Sequence, residues 1–394
     1  MTDLQFPPPL MTSELGSFAR ITIVERKPQI IRQVIEDNQY PPEIVQALKA
    51  FTIEIAGSPM QPVKEPAADA IFWNRALAQF PGHTWLEVPW YFAETFFYRR
   101  LLEAVQYFQP GEWRRRDPFQ AQKRRQIQAD LKWFSGEWES FSGLEPDLTF
   151  EALLHSCLWG NRADLSNFTV KVKALGGMAT ASERQFILID DTEKAYRFLS
   201  RGLEQVDFVT DNVGKELLFD LALAGFLIDQ RWVKRIVFRL KDRPFFVSDA
   251  MIDDVQATLE GLQSAASQTT QATGRHLAEL IASHEILLTD DPFWTSCLMD
   301  RQLPQDLWED LSSSDLVILK GDVNYRRILG DLHWPHDTRI EEAARYFPAS
   351  FLTLRTLKAE IMVGLQPGQA EKLQAEDPAW LINGKRGLIQ LVQK

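Results

Sequence analysis

Val206-Asp-Phe-Val-Thr-Asp-Asn-Val-Gly-Lys-Glu-Leu-Leu-Phe-Asp220 is the stretch whose reading decides the fold. It opens on a β-branched and aromatic run, Val206 to Thr210, the composition of a buried strand. Apolar residues then fall at Val213, Leu217, Leu221, Ala224 and Ile228, the spacing of an amphipathic helix. Asp211 and Asn212 therefore stand at the carboxyl end of a strand, where open α/β sheets place their ligands. Asn212, Glu216 and Asp220 follow at four-residue steps and form a polar line on one helix face. An acid beside an amide offers the hard oxygen ligands that Mg²⁺ or Mn²⁺ prefers. The same two residues are also ordinary helix N-caps. This stretch alone leaves both readings open.

Working outward, short apolar runs alternate with amphipathic helices from about residue 180. The strand candidates are Phe186–Ile189, Val206–Thr210, Ile236–Phe238, Phe245–Val247, Ile286–Leu288, Leu316–Leu319 and Leu388–Leu391. Such alternation predicts a three-layer, doubly wound α/β fold with a mostly parallel sheet. Residues 1–165 read instead as a helical N-terminal region, with helical spacing at Ile30–Ile35, Pro42–Ile55 and Asp69–Ala78. The expected division is thus 1–165 helical and 166–394 α/β, the latter carrying metal and phosphate.

Composition bounds the function. The 394 residues carry a net charge of -11, which argues against general nucleic-acid binding. The basic cluster Arg114–Arg116 with Lys123–Arg125 reads as a solvated helix face that offsets nearby carboxylates. Two cysteines, Cys157 and Cys297, form neither a disulfide framework nor a zinc cluster, and buried reduced thiols suit a cytoplasmic protein. No signal peptide opens the sequence. The longest apolar stretch, Leu217 to Ile228, carries Asp220 and is short of the ~20 residues of a membrane span.

Further polar residues follow other strands. Asp249, after Phe245–Val247, would lie beside Asp211 if the two strands are neighbours, giving three oxygen ligands with Asn212. Asp190-Asp191 is a second candidate pair, more simply the cap of the helix after it. Lys320-Gly-Asp-Val-Asn-Tyr-Arg-Arg327 packs cations, an acid, an amide and a phenol into one turn with a glycine, which suits an anionic ligand at a helix start. Arg355 and Lys358 are three apart and share a face if a helix starts there; two cations so placed suit phosphate or carboxylate. Asn161 and Arg162 read as a turn, with Asp164 or Ser166 as the next cap and Arg162 available to an anion. The aromatic stretch Trp85–Arg100 reads as a core helix starting near Pro89, with Glu94 either solvated or facing a substrate.

Taken together, Thr210-Asp-Asn-Val-Gly-Lys-Glu-Leu, Phe246-Val-Ser-Asp249, Lys320-Gly-Asp-Val-Asn-Tyr-Arg326 and Arg355-Thr-Leu-Lys358 resemble the damage-control phosphatases, also called the unknown-function domain family 89. The Arg-Thr-x-Lys block points to the subgroup of acidic-residue methyltransferase 1-like proteins. The resemblance covers nearly the whole chain, so the two regions would together form one family domain. It implies a divalent-metal phosphatase (Mn²⁺, Mg²⁺, Co²⁺ or Ni²⁺) acting on small phosphorylated metabolites, either sugar phosphates such as fructose 1-phosphate or damaged phosphometabolites. It implies metal ligands at Asp211, Asn212 and Asp249, and catalytic roles for Asp211 and Lys358. It implies substrate contacts at Asp322, Asn324, Tyr325, Arg326, Arg355 and Lys358. The rival from another class is an S-adenosylmethionine-dependent carboxyl methyltransferase, disfavoured because Asp190-Asp-Thr-Glu after the first strand lacks a glycine-rich loop. A non-enzymatic sugar-phosphate binder is the third reading.

Overall fold

The computed structural model describes residues 6–160 and 184–394, so the turn readings at Asn161, Arg162, Asp164 and Ser166 lie outside the described residues. Seven strands form one sheet: β1 (Ile187–Asp190), β2 (Leu203–Val209), β3 (Val233–Leu240), β4 (Ile286–Asp290), β5 (Leu316–Lys320), β6 (Phe351–Thr356) and β7 (Gly387–Val392). Their order is β1-β7-β6-β5-β2-β3-β4. The five strands from β6 to β4 run parallel. β7 pairs antiparallel with β6, and β1 parallel with β7. The mostly parallel α/β sheet read from the sequence is therefore present.

Both faces of the sheet are covered, as parallel strands require. Along β5 the side chains alternate between two cores. Leu316 and Ile318 pack with the helices Pro146–Trp159 and Lys215–Asp229, while Val317 and Leu319 join the opposite cluster. That period of two is why short all-apolar runs, rather than alternating ones, mark these strands. A third core belongs to the N-terminal helices and centres on the helix Trp90–Ala104, which starts just after Pro89. Trp85 and Phe92 both stack on Phe96, and Phe51 on Phe97. The basic cluster meets nearby carboxylates but is not one solvated helix face: Arg114–Arg116 precede the helix Gln120–Ser140, Lys123 is buried between Asp117 and Asp254, and Arg125 meets Asp37.

The sequence reading needs two corrections. Phe245–Val247 is not a strand. Phe246 and Val247 have φ of 45° and 70°, left-handed values that no strand tolerates, and the segment is a turn that packs Phe245 and Phe246 against Tyr98. Conversely, Phe351–Thr356 is β6 and not the start of a helix. Every residue of it is buried, because it lies between β5 and β7 with both faces covered. Arg355 hides a strand there by interrupting the apolar run.

The topology positions the site. From β2 the chain proceeds to β3 and β4 on one side, then crosses back to β5 on the other side of β2 and on to β6. The strand order reverses between β2 and β5, and a crevice opens outside the carboxyl ends of strands at such a point. No helix among the described residues is long and apolar enough to cross a membrane.

One buried acid makes a prediction on stability. Asp300 is 2% exposed, neither of its oxygens meets a hydrogen-bond donor among the described residues, and burial pushes its carboxyl up to about 7 despite Arg327 nearby. A raised folded-state pKa means the native state holds the proton more tightly than the unfolded chain. Stability is therefore lost as pH rises from about 4 to about 7. Asp300→Asn should be more stable than wild type at pH 8, on the order of 1–3 kcal/mol, and show no such gain at pH 4. Urea unfolding at the two pH values measures this; an equal difference at both would contradict it.

Candidate active site

β2 ends at Val209, and Thr210-Asp211-Asn212 carries the chain to Gly214 before the helix Lys215–Asp229 begins. The turn after β3 folds back onto this junction. Val213 N donates to Ser248 O at 2.8 Å, Ala250 N donates to Asp211 O at 2.8 Å, and an isolated bridge pairs Asn212 with Asp249. Left-handed φ at Val247, a β-branched residue, costs about 1–2 kcal/mol. Such strain is typical of functional sites. Asp249 thus reaches Asp211 from a strained turn rather than from a strand end.

β5 closes the other side. Gly321 has φ +80°, and a Cβ there would stand 1.8 Å from Asp211 Oδ2, so only glycine lets the two strands approach this closely. Asn324 Nδ2 donates to Lys320 O at 2.7 Å, Thr210 O at 3.2 Å and Val209 O at 3.3 Å, tying β5 to β2 across the crevice. Lys320 is wholly buried and pins this end to two helices, with Nζ 2.7 Å from Asp220 Oδ1 and donating to Cys157 O at 2.7 Å.

The resulting cavity has a volume of about 230 Å³. Asp211, Asn212, Asp249, Asp322 and Lys358 line it, together with Glu216, Ser248 and Thr356. The other candidates stand behind that lining. Arg355 Nε donates to Asp322 Oδ1 at 2.7 Å. Tyr325 Oη accepts from Val363 N at 3.2 Å. Arg326 is fully buried, donates through Nε to Asp331 Oδ1 at 2.6 Å, and lays its guanidinium 3.4 Å from the Trp90 ring centre. Arg355 therefore orients Asp322, with Arg326 3.9 Å from it, while Asn324 and Tyr325 hold the wall behind the lining. Asp190 and Asp191, by contrast, are spent locally: Asp190 Oδ1 accepts from Thr192 N and Asp191 Oδ2 from Leu391 N.

Several lining residues carry no signal in the sequence. Phe18, Thr22 and Arg26, four apart on a segment with a π-helical turn at Thr22–Arg26, form the opposite wall with Trp90 and Glu94. They lie almost 200 residues from Asp211. Lys241, whose Nζ donates to Thr210 O at 2.7 Å and lies 3.1 Å from Asp249 Oδ2, could have been found. It is the first residue after β3, at a strand end like Asp211 and Lys320, though Arg239 and Leu240 separate it from the apolar run Ile236–Phe238.

Charge in the cavity is unbalanced. Burial pushes the Asp211 carboxyl well above the usual carboxylate range, with Glu216 and Asp249 adding to it and Lys241 and Lys358 opposing. Asp249 is fully buried and its carboxyl is also raised, by burial first. Apart from the Lys241 ion pair, neither oxygen of Asp249 meets a donor among the described residues. Buried oxygens left open beside a second acid suit a hard cation. Among the described residues no three His, Cys, Asp or Glu side chains are grouped to hold a metal alone.

Fold and site thus define a doubly wound α/β protein with an acidic crevice at its switch point. The sequence profile of the damage-control phosphatase ARMT1-like domain matches residues 22–373, and the chain belongs to that family. Damage-control phosphatase ARMT1 of Danio rerio is 31% identical over 438 residues, covering 98% of this chain and 97% of the relative. The Homo sapiens protein of the same name is 31% identical over 450 residues, covering 98% of each. A crystal structure of a DUF89 family protein from Pyrococcus horikoshii superposes with a TM-score of 0.49 at 13% identity, covering 94% of this chain and 97% of that one.

Gly321→Ala tests the crevice. The new methyl must displace the Asp211 carboxylate. The variant should lose stability by about 1–2 kcal/mol, the left-handed penalty for alanine, yet remain folded. Circular dichroism beside Mn²⁺ titration calorimetry should show native secondary structure with weakened cation binding. Unchanged binding would mean that Asp211 is not held by this contact.

Proposed function

We propose that the chain is a metal-dependent phosphomonoesterase acting on sugar phosphates such as fructose 1-phosphate, or on damaged phosphometabolites. The observation that carries this reading is the pairing of Asp211 and Asp249 in one buried cavity, with Asp249 Oδ1 meeting no donor among the described residues and Oδ2 met only by Lys241. Family membership and the names of the relatives support the reaction class. Asp211 and Asp249 would hold a divalent cation (Mn²⁺, Mg²⁺, Co²⁺ or Ni²⁺), with Asn212 as the third ligand. In the structure the Asn212 amide nitrogen donates to Asp211 Oδ2 at 2.9 Å and Glu216 Oε1 at 3.1 Å, and its oxygen accepts from Ser248 Oγ. Turning the amide over would present its oxygen to the cation. When bound, the cation supplies positive charge to a phosphoryl oxygen as a Lewis acid.

The chain's own residues do the rest. Lys358 is half-buried, lines the cavity just beyond β6, and makes no ion pair among the described residues, so its charge is available to the phosphoryl group. As the ester bond breaks, negative charge grows on the phosphoryl and leaving oxygens, and a preorganised ammonium stabilises it. Asp322, oriented by Arg355, stands at the start of the helix Gly321–Leu329 and keeps the approach narrow. Methyl transfer is less favoured: the turn after β1 lies at the sheet edge, away from the switch point, and its two acids are already partnered.

Phosphate release assayed after EDTA treatment should vanish and return with Mn²⁺ or Co²⁺. Full activity in chelated enzyme would overturn the metal reading. Asp249→Asn, which keeps the shape beside Lys241, should lower kcat by about a hundredfold or more, in line with loss of a positioned reacting centre. Lys358→Ala should cut kcat/KM about ten- to a hundredfold, the size of one charge-assisted contact, while Mn²⁺ affinity and melting temperature stay near wild type. Steady-state kinetics beside calorimetry decide it, and an unchanged kcat/KM would remove Lys358 from the site.

A further inference from the structure

Glu94 faces the same cavity from the helical wall, and the phosphoryl chemistry gives it no task. It is 3% exposed and lines the cavity. Its Oε1 is bound by Lys27, whose ammonium is wholly buried and lies 4.6 Å from both the Phe97 and Tyr98 ring centres. That clamp fixes the carboxylate. Oε2 meets no donor among the described residues, and leaving such an oxygen unsatisfied costs about 1–3 kcal/mol. Thr22 cannot supply the missing hydrogen, because its hydroxyl already donates to Ala19 O at 2.8 Å while accepting from Trp90 Nε1 at 2.7 Å.

With no donor among the described residues, one can come from what enters the cavity. A phosphoryl dianion brings only acceptors and would be repelled by a carboxylate. The alcohol half of a phosphate ester brings hydroxyl donors. Beside Glu94 the wall is aromatic, with Trp90, Phe18 and Phe246, which suits the C–H face of a polyol or sugar.

Resting on the phosphatase reading above, we infer that Glu94 is a specificity-determining residue: its Oε2 accepts a hydroxyl hydrogen from the alcohol part of the ester, so the site selects polyol and sugar phosphates over esters without hydroxyls. The phosphoryl end lies toward Asp211, Asp249 and Lys358, and the hydroxylated end toward the N-terminal helices. Specificity and chemistry then sit on different parts of the chain.

The test compares fructose 1-phosphate with phenyl phosphate, which has no free hydroxyl on its alcohol part, in wild type and Glu94→Gln with Mn²⁺ present. Wild type should favour the sugar ester at least about tenfold in kcat/KM. Glu94→Gln should lose about ten- to a hundredfold on the sugar ester, the size of one hydrogen bond to a charged group, and stay within about threefold on phenyl phosphate. Mn²⁺ affinity by calorimetry should not change. Should Glu94→Gln misfold, leaving Lys27 buried without its charge partner, the double variant Lys27→Met with Glu94→Met removes both charges at similar volume and makes the same comparison. Equal losses on both esters, weakened Mn²⁺ binding, no loss on the sugar ester, or a wild type that prefers phenyl phosphate would each overturn the inference. A wild type that hydrolyses neither ester sinks the phosphatase reading itself, a distinct result.

Discussion

The site depends on one close approach, that of Gly321 at the end of β5 to the Asp211 carboxylate beyond β2. The strand order reverses between these two strands, so the crevice would exist in any sequence with this topology. What makes it a site is how tightly it is closed. Asn324 ties the two strand ends together through three carbonyls, and Lys320 anchors the β5 end to Asp220 and Cys157 O. In this arrangement Asp211 and Asp249 are buried in one cavity, and Asp249 adds to the upward push on the Asp211 carboxyl. Charges placed against one another in a buried site reduce stability, a cost that persists where function requires it.

Much of this was legible in the sequence because it is local. The change from a β-branched run to helical spacing across Val206–Ile228 places Asp211 and Asn212 at a strand end, and the same logic holds at Lys320–Gly321. The turn at Phe245–Val247 misleads because two phenylalanines and a valine look like a strand. Their apolar character serves packing against Tyr98, and only backbone angles reveal the turn. β6 was obscured for the opposite reason. Arg355 breaks the apolar run, and its burial is balanced by bonds to Asp322, a partner 33 residues away, and to the Ala359 and Ile361 carbonyls.

The helical wall was beyond reach of any pattern. Phe18, Thr22 and Arg26 meet the sheet edge only through tertiary packing, and their spacing is that of any amphipathic segment. Trp85–Arg100 was recognisable as a core helix, and Glu94 as its anomalous acid. That one oxygen of Glu94 is spent on Lys27 and the other left open is a fact of three-dimensional placement. Likewise, Arg326 reads in sequence as a cation for an anionic ligand, whereas the structure buries it against Trp90 and Asp331. A run of charged residues after a strand shows that something polar happens there. It does not show which side chains face the cavity and which hold its wall.

The central claim is that Asp211, Asn212 and Asp249 together hold one divalent cation. Anomalous diffraction from a crystal soaked in Mn²⁺ tests it most directly. The account predicts a single strong anomalous peak in contact with all three side chains, with the Asn212 amide turned so that its oxygen faces the ion. No peak in the crevice, or a peak bound elsewhere while Lys241 alone neutralises Asp249, would contradict it.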